Sequence, residues 1–342
     1  MPTDPPFWRT DIHADRRPLL LGRNRVRAAL AGWFADQGFI AVECGAVAVS
    51  PGNETHLAGF EVTWRPEGRP PETRYLHTSP EFAAKKLLAA GETQIVDFAR
   101  VWRNGEQGPL HAPEFTMIEW YRAHAPWTAV MADSVALART AQAAAGGAPL
   151  RWRGHSCDAM AAPEILTVSA AFALHAGIDL VAVLDDRDGM AAACRAAGID
   201  VWANDTWSDL FSRVIATRIE PNLGQGRLTL LSEYPIAEAA LARPLPADPR
   251  FAERFEMYAC GVELANGFGE LTDAAEQRRR FEADMAERQR IHGLAYPLDE
   301  DFLAALHHMP PASGVALGFD RLAMLALGAT HINQLLWTPF PG

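Results

Sequence analysis

The sequence predicts a protein of the α+β class, on three observations. One segment carries the start and stop signals of a helix, with Ser79 as capping residue, Pro80 at the first helical position and Gly91 just past the end. Residues 95–102 and 116–121 are rich in β-branched and aromatic residues, which is typical of strands, and the polar segment between them predicts a long loop. With 342 residues, of which 49% are hydrophobic, the chain can bury a large core.

Capping residues and apolar residues at helical spacing predict further helices along the chain. The first covers residues 19–37 and stops at Gly38, and a strand-rich stretch follows to about residue 76. Three prolines between residues 243 and 249 predict a turn within one domain. The other predicted helices cover residues 128–145, 169–176, 189–198 and 273–291, the last with Asp273 as its cap and Gly293 as its stop.

The charge balance restricts the partners that the protein can have. The chain carries 31 Lys and Arg against 42 Asp and Glu, a formal net charge of -11. Such a field repels nucleic acid and anionic membranes, so tRNA is an unfavourable partner and no membrane association is expected. Residues 1–17 contain no apolar segment of signal-peptide length, and the four cysteines form no Cys-x-x-Cys pair. The composition therefore predicts a cytoplasmic protein with neither a zinc site nor a disulfide framework.

A first candidate site follows the strand predicted at residues 95–102. Arg103 and Asn104 stand at the end of that strand, and a polar loop leads from them to the returning strand. A planar guanidinium in this position can hold a phosphate through two parallel hydrogen bonds. An Arg-Asn pair also occurs in ordinary surface turns, so the segment alone leaves both interpretations open. The chain has no Gly-x-x-x-x-Gly-Lys-Ser/Thr sequence, which disfavours a P-loop as the phosphate site.

A second candidate site consists of two glutamates that flank an Asn-Gly pair. If Asn266 and Gly267 form a two-residue hairpin turn, Glu263 and Glu270 face each other across the two strands. Facing carboxylates repel unless a cation lies between them, and magnesium takes oxygen ligands from one or two carboxylates together with substrate phosphates. A hairpin with one glutamate in solvent explains the spacing equally well.

A third candidate site lies where a glycine-containing strand leads into a helix. Asp320 is the predicted cap of that helix, and Gly328 is its predicted stop. Arg321 then lies in the first helical turn, where the helix dipole disfavours a cation by roughly 0.3 to 1 kcal/mol. A bound anion would reverse that penalty. An arginine paired with a nearby carboxylate remains the alternative.

In this order, the three segments resemble the signature motifs of class II aminoacyl-tRNA synthetases, and most closely those of the lysyl type. Arg103 resembles the arginine of motif 2, residues 318–322 resemble motif 3, and residues 261–271 resemble the lysyl-type strand that carries magnesium ligands. Residues 76–81 match the segment that lines the amino-acid pocket in that branch. The resemblance covers nearly the whole chain and implies a catalytic domain with a mixed, mainly antiparallel sheet flanked by helices.

Lysyl-tRNA synthetases carry an N-terminal anticodon-binding barrel, and here the motifs begin too early to leave room for one. We therefore expect residues 1–342 to form a single catalytic domain without that barrel. Such a truncated chain resembles a family of paralogues that activate (R)-β-lysine and attach it to a lysine side chain of elongation factor P. Ala316 agrees with that family, because lysyl-tRNA synthetases usually have glycine there. The resemblance implies ATP and Mg²⁺ as cofactors, elongation factor P as acceptor, a lysine-type amino acid as substrate, and a homodimer.

The resemblance also assigns roles to individual residues. Arg103 and Arg321 are implied to be catalytic residues on the ATP phosphates, with Glu263 and Glu270 as magnesium ligands. The residues implied to bind ATP are these two arginines together with Asn104, Gly105, Glu106, Ala112, Glu263, Leu264 and Gly318. The residues implied to bind the amino acid are Ser79, Glu81, Tyr121, Asn266, Glu270 and Ala316.

Two alternatives stay open at the level of sequence. One is a related ligase that acts on another carrier protein or on tRNA. The other is a regulatory paralogue that binds an amino acid without activating it. Gly105 and Ala112 slightly favour the regulatory paralogue, because the family pattern has Glu and Asn at these positions. The retained arginines and glutamates of the candidate site argue against it.

Overall fold

The structure, a computed structural model, describes residues 6–340, so residues 1–5 and 341–342 of the predicted single domain lie outside the described range. Within it the helices are α1 (Thr10–Asp36), α2 (Glu81–Ala89), α3 (Trp127–Ala144), α4 (Val168–Ala176), α5 (Arg187–Ala196), α6 (Trp207–Val214), α7 (Ala274–His292), α8 (Glu300–Ala305) and α9 (Phe319–Leu327). The strands are β1 (Ile40–Ala41), β2 (Val47–Ala48), β3 (Phe60–Trp64), β4 (Glu72–Leu76), β5 (Gln94–Trp102), β6 (Glu114–Ala123), β7 (Leu150–Trp152), β8 (His155–Asp158), β9 (Glu164–Thr167), β10 (Gly226–Arg227), β11 (Thr229–Pro235), β12 (Phe251–Ala259), β13 (Val262–Gly269) and β14 (Ala312–Gly318).

An eight-stranded sheet organises the molecule, with strand order β1-β5-β6-β14-β13-β12-β11-β9. In this order, all neighbouring strands from β5 through to β11 run antiparallel. The two edge strands pair in parallel, β1 with β5 and β9 with β11. The prediction of a mixed, mainly antiparallel sheet flanked by helices is therefore confirmed. Among residues 6–340, no helix combines the length and the apolar character that a membrane span requires.

The helices cover the sheet in three groups, each with its own apolar contacts. Helices α1, α3 and α9 pack on one face around Leu30, Trp120 and Phe319, which are buried. Helices α2, α7 and α8 form a second group in which the rings of Phe82 and Phe302 stack 4.2 Å apart. Helices α4, α5 and α6 form a lobe beside the β9 and β11 edge with a separate cluster of buried residues. The face of the sheet between these groups is left open for a cavity.

Most predicted elements form where local signals placed them. The two predicted strands are β5 and β6, and the side chain of Asp273 caps α7 by accepting hydrogen bonds from two backbone amides, 3.0 Å each. The first helix is longer than predicted, because α1 begins at Thr10 rather than near residue 19. Its buried residues start only at Leu20, so the first two turns carry no apolar periodicity that sequence reasoning could detect.

The predicted hairpin turn at Asn266 and Gly267 is wrong. Both residues lie inside the continuous strand β13, and the reversal between β12 and β13 occurs at Cys260 and Gly261, whose φ angles are 56° and 72°. Glycine at position 267 serves a different purpose. A Cβ atom there would lie 2.6 Å from the ring of Phe255 on one neighbouring strand and 2.7 Å from Val315 on the other. Only glycine lets the three strands approach this closely.

The predicted capping role of Asp320 is also wrong. Gly318 occupies the cap position of α9, and the Asp320 carboxylate points into the core, where it is 1% exposed. It accepts hydrogen bonds from the Arg23 guanidinium at 2.7 Å and from the Thr116 backbone amide at 2.7 Å. Asp320 therefore ties α9 to α1 and to the β6 strand.

We expect Asp320→Asn to destabilise the protein by about 3 kcal/mol or more, since breaking a buried ion pair leaves an uncompensated charge. Urea unfolding followed by circular dichroism measures this loss. Asp11→Asn is the control, because Asp11 pairs with Arg9 at an exposed site and its loss should leave the urea midpoint of unfolding unchanged. Equal urea midpoints for the two variants would contradict a stabilising role of the buried pair of Arg23 and Asp320.

Candidate active site

A single cavity over the sheet collects most of the predicted site residues. Its walls come from the end of β5, the loop that leads to β6, the start of α2, strands β13 and β14, and the first turn of α9. The predicted residues that line it are Ser79, Glu81, Arg103, Glu106, Ala112, Tyr121, Glu263, Leu264, Asn266, Glu270, Ala316, Gly318 and Arg321. Segments that are distant in the sequence thus converge on one site.

Two predicted residues lie outside the cavity wall. Asn104 and Gly105 form the exposed tip of the turn after β5, where Gly105 has a φ of 83°. The backbone amide of Asn104 donates to the carbonyl oxygen of Ala58 at 2.6 Å. The turn thereby directs the chain away from the cavity, and Glu106 brings it back to within 3.7 Å of Arg103. The prediction that Asn104 and Gly105 line the ATP site is not supported by this geometry.

Two guanidinium groups define one end of the cavity. Arg103 lies over the ring of Phe115, 5.3 Å from its centroid, which fixes the plane of the guanidinium. Arg321 donates to the backbone carbonyl of Glu263 at 3.1 Å and lies 3.8 Å from its carboxylate. Both arginines are partly exposed to the cavity, and within the part of the chain that the structure describes their nearest carboxylates lie 3.7 and 3.8 Å away. This end is therefore suited to bind an anion.

His111 belongs to the same end and was missed by sequence reasoning. Its Nε2 atom lies 2.6 Å from an Arg321 nitrogen, so the ring must be neutral and accept the hydrogen bond. Burial and the adjacent Arg321 both lower the pKa of His111, which agrees with that neutral form. The residue lies in an irregular loop, where no periodicity marks a contact with a helix more than 200 residues later.

Carboxylates define the other end of the cavity. Glu119, also missed, accepts hydrogen bonds from the Tyr121 hydroxyl and from the Ser79 hydroxyl, each at 2.5 Å. Glu81 and Glu270 complete the group, and the ammonium of Lys85 lies between them. This end of the cavity is therefore suited to bind cations.

The surroundings of these carboxyl groups raise their pKa values, so a bound cation would stabilise their ionised forms. Burial and neighbouring Glu81 raise the pKa of Glu119 to about 8, and burial raises the pKa of Glu270 to about 7 although Lys85 opposes the shift. Lys85 Nζ lies 2.6 Å from one oxygen of the Glu270 carboxylate, Oε2. The other oxygen, Oε1, is buried without a hydrogen-bond donor among residues 6–340. A further ammonium group would satisfy it.

The expected couple of Glu263 and Glu270 does not form a metal site. The two residues lie at opposite ends of β13, about 20 Å apart by the rise of an extended strand, so one ion cannot contact both. The ammonium of Lys85 lies 2.6 Å from the Glu270 carboxylate. The carboxylate that interacts with Glu263 is Glu256 on the adjacent strand β12.

Glu263 retains the properties of a magnesium ligand. Burial and the neighbouring Glu256 raise its pKa to about 7 although Arg321 opposes the shift, so a cation bound beside it would stabilise the ionised form. A β-bulge between Met257 and Tyr258 shifts the register, and Glu263 lines the same cavity as Asn266 and Glu270. Within the described residues no group of three or more His, Cys, Asp or Glu side chains could hold a metal. Glu263 therefore fits an ion that takes most of its ligands from substrate phosphates.

Comparison with known proteins places these features in a family. Residues 12–341 match the class II tRNA synthetases of the D, K and N types. The elongation factor P (R)-β-lysine ligase of Haemophilus ducreyi is 37% identical over 319 residues, which cover 93% of this chain and 92% of that protein. The ligase of the same name from Edwardsiella ictaluri is 37% identical over 320 residues, with 93% of each chain covered. That from Haemophilus influenzae strain PittGG is 36% identical over 319 residues, again with 93% of each chain covered.

Proposed function

Because this chain belongs to the family of class II tRNA synthetases of the D, K and N types, we propose that it activates (R)-β-lysine or lysine with ATP and transfers it to a lysine side chain of elongation factor P. The relatives described above are elongation factor P (R)-β-lysine ligases, and they match this chain over nearly its full length. The chain is an AMP-forming amino-acid ligase in this proposal.

One observation carries the proposal: the cavity separates two opposite charges along a single strand. Near the Glu263 end of β13 the guanidinium groups of two arginines face the cavity, and at the other end one oxygen of the buried Glu270 carboxylate lacks a hydrogen-bond donor within residues 6–340. An amino acid with a distal ammonium supplies that donor while its carboxylate points toward the arginines. Amino acids without that ammonium leave a buried polar atom unsatisfied, which is costly.

The chemistry requires no nucleophile from the protein. A carboxylate oxygen of the amino acid attacks the α-phosphorus of ATP, the bond from that phosphorus to the bridging oxygen breaks, and pyrophosphate leaves. Arg103 and Arg321 stabilise the negative charge that develops on the phosphate oxygens. An amine of the acceptor lysine then attacks the acyl carbon of the adenylate, and AMP leaves. Magnesium, when bound, would neutralise phosphate charge, with Glu263 as its ligand.

The assembly and compartment are also part of the proposal. We expect a homodimer, because the apolar residues Ile40, Val47 and Val49 are 54%, 59% and 43% exposed near one edge of the molecule. A monomer in sedimentation equilibrium at micromolar concentration would contradict that assembly. The four cysteines are free thiols, which suits a reducing cytoplasm.

We expect the protein to exchange labelled pyrophosphate into ATP when (R)-β-lysine or lysine is present. Glu270→Gln should raise the KM for that amino acid by about tenfold or more, because a hydrogen bond between charged groups is lost. Glu300→Gln is the control, since Glu300 pairs with Arg278 on the surface. Exchange that stays at background with every lysine-type amino acid would sink the proposed activity. Intact-mass measurement of elongation factor P after incubation with ATP and amino acid tests the transfer step.

We also expect Glu263→Gln to raise the Mg²⁺ concentration for half-maximal exchange. Loss of residues that only support a metal ligand costs roughly 10- to 100-fold in affinity, so loss of the ligand itself should cost at least as much. Glu270→Gln should leave this Mg²⁺ dependence unchanged, because Glu270 lies beside Lys85 at the far end of β13. The assignment of Glu263 as the magnesium ligand is contradicted if Glu270→Gln, and not Glu263→Gln, changes the Mg²⁺ concentration for half-maximal exchange.

A further inference from the structure

Lys85 is a buried cation inside a pocket that is built to bind cations. It lies on α2 one turn after Glu81, and its side chain is 1% exposed. Its ammonium donates to Glu81 and lies 2.6 Å from Glu270. The adjacent Lys86 points the other way, is 30% exposed and pairs with Asp299 and Asp301. Two consecutive lysines of one helix thus have different environments.

The charges that surround Lys85 come from several elements. Glu81 lies on α2, Glu119 and Tyr121 lie on β6, and Glu270 follows β13. Arg243, between β11 and β12, interacts with Glu270 from a greater distance and pairs with Glu253, while Glu54 interacts with Glu81. The single Lys85 ammonium therefore compensates only part of the charge that the carboxylates of Glu81 and Glu270 carry when they are ionised.

The remaining carboxylate charge suits the substrate of the proposed reaction, because lysine and β-lysine carry ammonium groups besides the carboxylate that is activated. We propose that Lys85 is a positioning residue that holds the carboxylates of Glu81 and Glu270 in place and compensates part of their charge, so that the pocket accepts an ammonium group of the amino acid. The proposal rests on the proposed function and adds a residue to it that does not itself touch the reacting atoms.

Physical chemistry explains why a lysine is needed at this position. Glu119 and Glu270 are buried close to Glu81, and neighbouring buried carboxylates favour their protonated forms unless a cation compensates them. Lys85 lowers the pKa values of Glu270 and Glu119 against the larger effect of burial. Burial alone would lower the pKa of Lys85, but Glu270 and Glu81 raise it above its ordinary value. Loss of Lys85 would raise the pKa of Glu270 further and favour the protonated form, which pairs poorly with a substrate ammonium.

The test compares Lys85→Met, which keeps the length of the side chain and removes its charge, with Lys86→Met as matched control. Pyrophosphate exchange gives the KM for the amino acid at about pH 7 and at about pH 9. We expect Lys85→Met to raise this KM by about tenfold or more at the lower pH. At the higher pH the carboxyl groups ionise without help from Lys85, so the ratio of the variant KM to the wild-type KM should be smaller. The KM for ATP and all constants of Lys86→Met should stay at wild-type values.

A role of Lys85 in packing alone would give an increase in KM that does not change with pH, and this result would overturn the proposal. An amino-acid KM equal to that of wild type at both pH values would overturn it as well. Lys85→Gln, which keeps a hydrogen-bond donor without the charge, replaces Lys85→Met if the latter does not fold. The exchange activity of the wild type distinguishes failure of the proposed function from failure of the role of Lys85. If the wild type shows no exchange, the proposed function is contradicted. If the wild type is active but the increase in KM of Lys85→Met does not change with pH, only the role of Lys85 is contradicted.

Discussion

The close approach of three strands at Gly267 is the constraint on which the rest of the site depends. Because Gly267 has no Cβ, β13 can pack closely against Phe255 of β12 and Val315 of β14. A strand presents alternate residues to one face, and the β-bulge between Met257 and Tyr258 in the pairing of β12 with β13 shifts that alternation. Glu263 therefore lines the same cavity as Asn266 and Glu270, and the two ends of that cavity can be given opposite charge.

Opposite charge at the two ends has a chemical consequence. A substrate with an ammonium at one end and a carboxylate at the other enters in only one orientation, because the reverse orientation places like charges together inside the protein. The reacting carboxylate then points toward Arg103 and Arg321 before ATP chemistry starts. Orientation of this kind removes much of the entropic cost of bringing two reactants together.

The sequence predicted the parts of the structure that depend on local signals. Helix α7 begins after the Asp273 cap, and β5 and β6 form at their predicted residues, because caps and strand composition act over a few residues. The hairpin turn predicted at Asn266 and Gly267 is wrong because glycine is favoured both in a hairpin turn and where neighbouring strands approach closely. The local sequence is the same in both cases, so it cannot distinguish them.

The residues that sequence reasoning missed all act through contacts distant in the chain. Lys85 was assigned to a helix, but nothing in its neighbourhood indicated that Glu270 would lie beside it. Glu119 and His111 likewise acquire their roles from other segments of the fold. For Arg103 and Arg321, only the resemblance to a family joined residues so far apart.

Two of the buried acids among residues 6–340, Asp320 and Glu270, differ in how their carboxylate oxygens are hydrogen-bonded, and this difference distinguishes a structural from a functional charge. Asp320 has Arg23 and a backbone amide as donors at normal distances, so its charge is fully compensated and nothing further is needed. Glu270 is equally buried, but Lys85 lies 2.6 Å from only one of its oxygens, and the other lacks a donor within the described residues. An unsatisfied buried oxygen destabilises the protein unless a donor reaches it. An ammonium group of the proposed substrate would supply that donor.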